Sequence, residues 1–131
     1  DWSRGLGDVY KRQIKNRVIM LGKVQWHDIL TLYKNANMLI LSSEIETFCI
    51  IALEGMALGC NIIAAKNGPF PEVLKDFAIY YPPRDINKLS EIIIMNSKKK
   101  KELNNLKNKS SNILKYYSWE NAAQETLEIL T

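Results

Sequence analysis

The sequence predicts an α/β fold: a parallel sheet with helices on both faces, ending in C-terminal helices. Three observations carry this prediction. Short apolar runs alternate with segments of helical periodicity from Val18 to Tyr81. Turn-forming Gly, Ser, Asn or Pro residues follow each run. Beyond Pro83 only helical patterns remain. Strands separated by helices are joined by right-handed crossovers, which makes the sheet parallel and covers both of its faces.

Taken in order, Val18–Leu21, ended by Gly22, suits a buried strand. Trp26–Lys34 places Trp26, Ile29, Leu30, Leu32 and Tyr33 at helical spacing. Met38–Leu41 is a second strand, stopped by Ser42 and Ser43. Phe48–Leu58 reads as an apolar helix ending at Gly59, a residue type common just past a helix C-terminus. Asn61–Ala65 is a third strand, Asn67-Gly68-Pro69 a turn, and Pro71–Leu74 a short helix with proline in its first turn. Ala78–Tyr81 is a fourth strand, closed by Pro82 and Pro83. Asp85 is placed to cap a helix over Ile86–Met95. Lys98–Tyr117 reads as a long polar helix with Leu103, Leu106, Ile113 and Leu114 along an inner stripe. Ser118 then caps a last helix, Trp119–Leu130, expected to bury Trp119, Ala122, Ala123 and Leu127.

Composition narrows the function. The chain has 131 residues, 47% hydrophobic and 24% charged, which suits one domain with a real core and excludes disorder by composition. No apolar run approaches the roughly 18 residues of a membrane span. Cys49 and Cys60 form neither a C-x-x-C pair nor a disulfide framework, so a reducing cytoplasm is the simplest compartment. The net charge of +4 is mild, and no nucleic-acid partner is expected. The first residues stand apart. Ser3–Gln13 resembles the in-frame translation of a transposon-type sequencing adapter. Residues 1–13 are therefore read as a non-native tail and 14–131 as the domain, with the N-terminal part of the protein missing.

In an open parallel sheet, ligands bind beyond the carboxyl ends of the strands. Ser42–Thr47 and Lys66–Glu72 follow two predicted strands, and both lead into helix N-termini that favour phosphate. Glu46 and Glu54 lie eight residues apart, about 12 Å if the segment is helical. That is too far for a shared proton but near the span of a nucleotide-sugar, with one carboxylate at the hexose and one at the ribose. Taken alone, an acidic residue ahead of a helix is more often a cap or dipole partner, which is the plainer reading of Glu46. Glu54, flanked by Ile50, Ile51, Leu53, Met56 and Ala57, either points out of the sheet top or has a partner.

Other residues have plainer readings. His27, the only histidine, sits beside Asp28 in a structural role, and Lys98–Lys101 reads as a solvated helix start. Glu72 reads as a capping residue rather than a phosphate contact, and Trp119 as core.

Ser42–Gly59 (SSEIETFCIIALEGMALG) resembles the E-x7-E segment of retaining GT-B glycosyltransferases of family 4, whose usual form is S-x-x-E-G-F-G-x-x-x-L-E-A-M-A-x-G. The match continues in order through Leu21–Val24, Leu32–Ala36, Gly68–Val73 and Ser118–Glu120. The resemblance implies the Rossmann-like, C-terminal, donor-binding half of a GT-B fold. It implies transfer of a hexosyl group from a nucleoside-diphosphate sugar to a glycan or lipid-linked acceptor, with retention. It makes Glu46 the catalytic-site glutamate near the donor sugar and Glu54 the ribose ligand. Backbone N–H groups at Phe48, Cys49 and Ile50 would meet the sugar and diphosphate, and Val24 the nucleobase.

No metal or cofactor is implied, and the acceptor would be bound by an N-terminal domain upstream of Ile14. The setting implied is cytoplasmic, at the inner membrane face where a lipid-linked acceptor is met, with peripheral membrane association. The piece alone is expected to be inactive. An alternative on the same fold is a standalone nucleotide-sugar-binding subunit that needs a separate acceptor-binding partner. A flavodoxin-like receiver is disfavoured, because the acidic pocket and the aspartate it needs are absent at the strand ends.

The sequence departs from the family pattern in three places. Gly-Phe-Gly is Thr47-Phe48-Cys49, which puts a side chain where the backbone approaches the ligand. The alanine after the second glutamate is Gly55, a helix-weakening change of about 1 kcal/mol. The family's diphosphate-clamping Arg and Lys precede Ile14, and Lys11 and Arg12 are not substitutes for them.

Overall fold

A computed structural model describes residues 17–97, 110–111 and 113–130. Three strands form one parallel sheet: β1 (Met38–Leu41), β2 (Asn61–Ala65) and β3 (Ile79–Tyr81), in the order β1-β2-β3. Met38 pairs with Asn61 and Leu41 with Ala64 along one side of β2, and Ile63 with Ile79 along the other. The centre strand is apolar on both faces because helices lie on both. Ile62 and Ala64 face one cluster, together with Leu41, Met56, Phe70 and Leu74. Ile63 and Ala65 face the other, with Tyr81 and Ile92. Successive strand residues point to opposite faces, so the unbroken apolar run Ile62–Ala65 is what a doubly covered strand requires.

The helices are α1 (Trp26–Asn35), α2 (Ile50–Ala57), α3 (Phe70–Leu74), α4 (Ile86–Ser97) and α5 (Trp119–Leu130). The first three cover the face that carries Ile62 and Ala64, and α4 covers the opposite face. The expected caps form: Asp85 Oδ1 accepts from the Lys88 N–H at 2.8 Å, and Ser118 Oγ from the Asn121 N–H at 3.1 Å. At the end of α2, the Cys60 N–H donates to the Gly55 carbonyl and the Gly59 N–H to that of Met56, at 2.9 and 3.0 Å. This is the Schellman arrangement, and Gly59 supplies its left-handed φ of 72°.

Gly55 has a packing reason that propensity alone does not reveal. A Cβ there would run into the Leu39 side chain on β1, so glycine lets α2 lie close against the sheet.

Three expectations change. Val18–Leu21 is not a strand; Ile19, Met20 and Leu21 are exposed, and among the described residues no ladder partner lies beside them. A strand exists only through its pairing, so apolar β-branched composition alone does not make one. The apolar helix begins at Ile50 rather than Phe48, because Cys49 takes a left-handed conformation that no α-helix can contain. The 12 Å spacing from helical rise therefore does not apply between Glu46 and Glu54. The third change concerns α5, which buries none of its residues: Trp119 is 89% exposed and Leu127 58%, with Ala122 and Ala123 also exposed. Its apolar stripe lies exposed. Trp119 is therefore a helix-surface residue here, not core.

The long helix expected at Lys98–Tyr117 is described only in part. Its described part, residues 110–111 and 113–116, is helical, with Ile113 and Leu114 against the core. Lys98–Lys101, Leu103 and Leu106 lie outside the described residues, as does the 1–13 segment. Among the described residues, no helix is long and apolar enough to cross a membrane.

Candidate functional site

The chain leaves β1 at Leu41 and enters α2 at Ile50 through a loop at the carboxyl edge of the sheet. Glu46 is half-buried in this loop, and its Oε1 accepts from the Thr47 N–H at 3.0 Å. Cys49, three residues further on, is buried. Burial pushes the Cys49 thiol up; the Ala52 N–H lowers it in part, and Glu46 raises it again by charge and hydrogen bond. Cys49 also has a φ of 62°, in the region glycine favours. A side chain at this point is thus tolerated by tucking the sulfur into the core.

The second loop leaves β2. Its Asn67 Nδ2 donates to the Ser43 and Glu44 carbonyls at 3.1 and 3.0 Å, and Gly68 lies against the Glu46 carbonyl. The two segments singled out in the sequence are therefore in contact.

Glu54 is half-buried on α2 and has a partner. The Trp26 indole N–H donates to Glu54 Oε1 at 3.4 Å. Trp26 and Tyr33 are seven residues apart on α1, hence on one helix face. Burial, and after it the Glu54 charge, holds the Tyr33 phenol above its ordinary value. Val24 is half-buried in the approach to α1, two residues before Trp26, so the Trp26–Glu54 bond links its loop to α2. Phe48 is 42% exposed and meets Tyr117 edge-on at 5.7 Å between ring centroids. Ile50 is 62% exposed at the α2 N-terminus; Phe48 precedes the helix, so its N–H is not one of the helix-end donors.

Three further residues shape the site without standing out in the sequence. Trp26 reads there only as part of a helical stripe, yet it orients Glu54. Asn67 reads only as a turn former. Arg84, in the loop after β3, donates Nε and Nη2 to Glu44 at 2.9 and 2.7 Å. By hydrogen bond first and charge second, it holds the Glu44 carboxyl below the usual range. The signal for Arg84 is the rule already applied to β1 and β2: ligand loops follow strand ends, and β3 ends there too. His27 sits exposed beside Asp28 at 3.3 Å, and Glu72 is exposed in the first turn of α3, whose N-cap is Pro69, so the capping role expected of Glu72 is not seen.

The thiols offer a direct check. Cys60 is fully buried with Sγ 2.9 Å from the Tyr33 carbonyl, and Cys49 is 7% exposed. The native chain is expected to show no thiol reactive to Ellman's reagent at about pH 8 and two after denaturation, because both thiols are buried away from the reagent. A native thiol reacting within minutes would contradict the buried placement of Cys49.

The structure is that of an α/β domain whose loops meet at the carboxyl edge of a parallel sheet. A family model described as glycosyl transferases group 1 matches residues 8–112, and the chain belongs to that family. The sheet and its helices correspond to a Rossmann-like half of a GT-B fold. The chain is 27% identical to an uncharacterized glycosyltransferase of Methanocaldococcus jannaschii, over 92% of the chain and 32% of that protein. It is 30% identical to the lipopolysaccharide 1,2-N-acetylglucosaminetransferase of Salmonella typhimurium, over 86% of the chain and 31% of that protein. It is 29% identical to one subunit of the phosphatidylinositol N-acetylglucosaminyltransferase of Arabidopsis thaliana, over 88% of the chain and 26% of that protein. The chain thus spans a third or less of each of these relatives.

Proposed function

We propose that the chain is the donor-binding domain of a glycosyltransferase that moves a hexosyl group from a nucleoside-diphosphate sugar to a glycan or lipid-linked acceptor, with retention. One observation carries this reading. In a group 1 glycosyl transferase chain, Glu46 is held in the loop entering α2, and Glu54 is held by Trp26 one turn into that helix. Glu46 would accept from sugar hydroxyls near the anomeric carbon, and Glu54 from the ribose. The diphosphate would lie over the free N–H groups of Ile50 and Ile51 at the positive end of the α2 dipole.

Departure of the nucleoside diphosphate from the face the acceptor enters would give retention, with the leaving phosphate taking the acceptor proton. No protein nucleophile and no metal is needed in that scheme. Acceptor binding would fall to a separate N-terminal domain, on the cytoplasmic side and in peripheral contact with the membrane. The N-acetylglucosaminyl transfer named for two relatives makes an N-acetylhexosamine donor the first to test.

A second reading has a specific support. The plant relative and a human counterpart are each named as one subunit of their transferase, which suits a donor-binding chain that works with a separate acceptor-binding partner. Calorimetric titration of the chain with nucleoside diphosphates tests what both readings share. Heat of binding with millimolar or tighter affinity is expected; none at millimolar ligand would sink both.

A further inference from the structure

We infer that Arg84 is a positioning residue for Glu46: through Glu44, it fixes the loop that carries Glu46 and so tightens the sugar end of the donor site. The inference rests on the nucleotide-sugar reading above. Residues 42–49 form an eight-residue stretch without helix or strand between β1 and α2. Such a loop, unsupported, has to be ordered when ligand binds, which weakens affinity.

Here both neighbouring strand ends hold it. From the β3 end, Arg84 grips both oxygens of Glu44, a forked geometry that guanidinium provides and ammonium does not. From the β2 end, the Asn67 amide donates to the carbonyls of Ser43 and Glu44. The Lys66 N–H bonds the Tyr81 carbonyl at 2.8 Å, so the two anchoring loops are themselves joined. Glu46 is only two residues beyond Glu44. A cleft of about 180 Å³, lined by Ser42, Ala65, Tyr81 and Ile86 among others, adjoins the Glu44–Arg84 pair. On that side the loop meets open space rather than packed core, so polar anchors set its position. Both ion-pair side chains are more than half exposed, which makes the contribution one of geometry more than of stability.

The geometry predicts an asymmetric loss. The latch acts on the Glu46 end, whereas Glu54 is held separately by Trp26. Arg84→Gln and Glu44→Gln are expected to weaken binding of a nucleotide-sugar about two- to fivefold, the size an exposed ion pair supports, and to leave nucleoside diphosphate binding unchanged. Arg84→Lys is expected to fall between, and the exchange E44R/R84E to recover most of the loss.

The measurement is calorimetry on the full chain with UDP, GDP and ADP and with their hexose and N-acetylhexosamine conjugates, with melting curves of each variant alongside. High salt should weaken the sugar conjugate more for the unaltered chain than for Arg84→Gln. Equal losses for both ligand types, or no loss in a folded Arg84→Gln, would overturn the positioning role while leaving the donor-site reading intact. Failure of the unaltered chain to bind any of the probes would overturn that reading and this inference with it.

Discussion

Glu54→Gln is expected to weaken nucleoside diphosphate binding by about ten- to a hundredfold. One carboxylate oxygen of Glu54 already takes the Trp26 indole N–H, which leaves the rest of its accepting capacity for a ligand. A ribose presents two adjacent hydroxyl donors, and a carboxylate accepts both. An amide accepts on one side only and turns a donor toward the other hydroxyl. The loss of one charge-assisted hydrogen bond is worth about 1.5–3 kcal/mol, which converts to the stated range. The substitution keeps the shape of the side chain, and Glu54 is only half-buried, so the melting temperature should stay close to that of the unaltered chain. Calorimetry on both proteins checks this. Equal affinities would remove Glu54 from the ribose site.

Phe70→Ala is expected to cost about 3–5 kcal/mol of folding stability, as large-to-small changes at fully buried aromatic positions do. Phe70 is 1% exposed and begins α3 beneath the loop that carries Asn67 and Gly68. Its carbonyl, at 3.1 Å, and the Lys75 carbonyl, at 2.7 Å, share the one proton of the Tyr80 hydroxyl. Burial, followed by the charge of Asp76, pushes the Tyr80 phenol up to about 12. It therefore stays a donor throughout the ordinary pH range and pins both ends of α3. Against a total stability of about 5–15 kcal/mol for a domain, the loss is a large fraction. Urea unfolding should show a lower midpoint with an unchanged slope. A shift below about 1 kcal/mol would mean that α3 collapses into the space and that the core at Phe70 is softer than its burial implies.

Much of this arrangement is legible from residues in order, and the failures share one cause. Strands β1, β2 and β3, the two caps and the end of α2 depend on neighbours in sequence or on burial from both faces. Met38–Leu41, Asn61–Ala65, Asp85 and Gly59 therefore announce themselves. Val18–Leu21 and the α5 stripe of Trp119 and Leu127 have the right composition, but the element that would pair with or cover them is not written in the segment itself. The site divides the same way. Glu46 and Glu54 belong to one contiguous pattern and can be found. Trp26 acts on Glu54 across 28 residues and Arg84 on Glu44 across 40, and neither separation has a period to betray it. Gly55 looks like a weakness in a helix until Leu39 supplies the reason for it.

The strand order has a practical consequence. With β2 in the middle, the outer side of β1 has no strand beside it among the described residues, and Ile40 on that strand is 41% exposed. A bare row of amides and carbonyls next to an apolar side chain is a template for strand addition from another molecule. At high protein concentration this border is where a strand of a second molecule could add. Lysine at Ile40 is the first change to make for a well-behaved sample, since a charge blunts the border and keeps the backbone N–H of the strand.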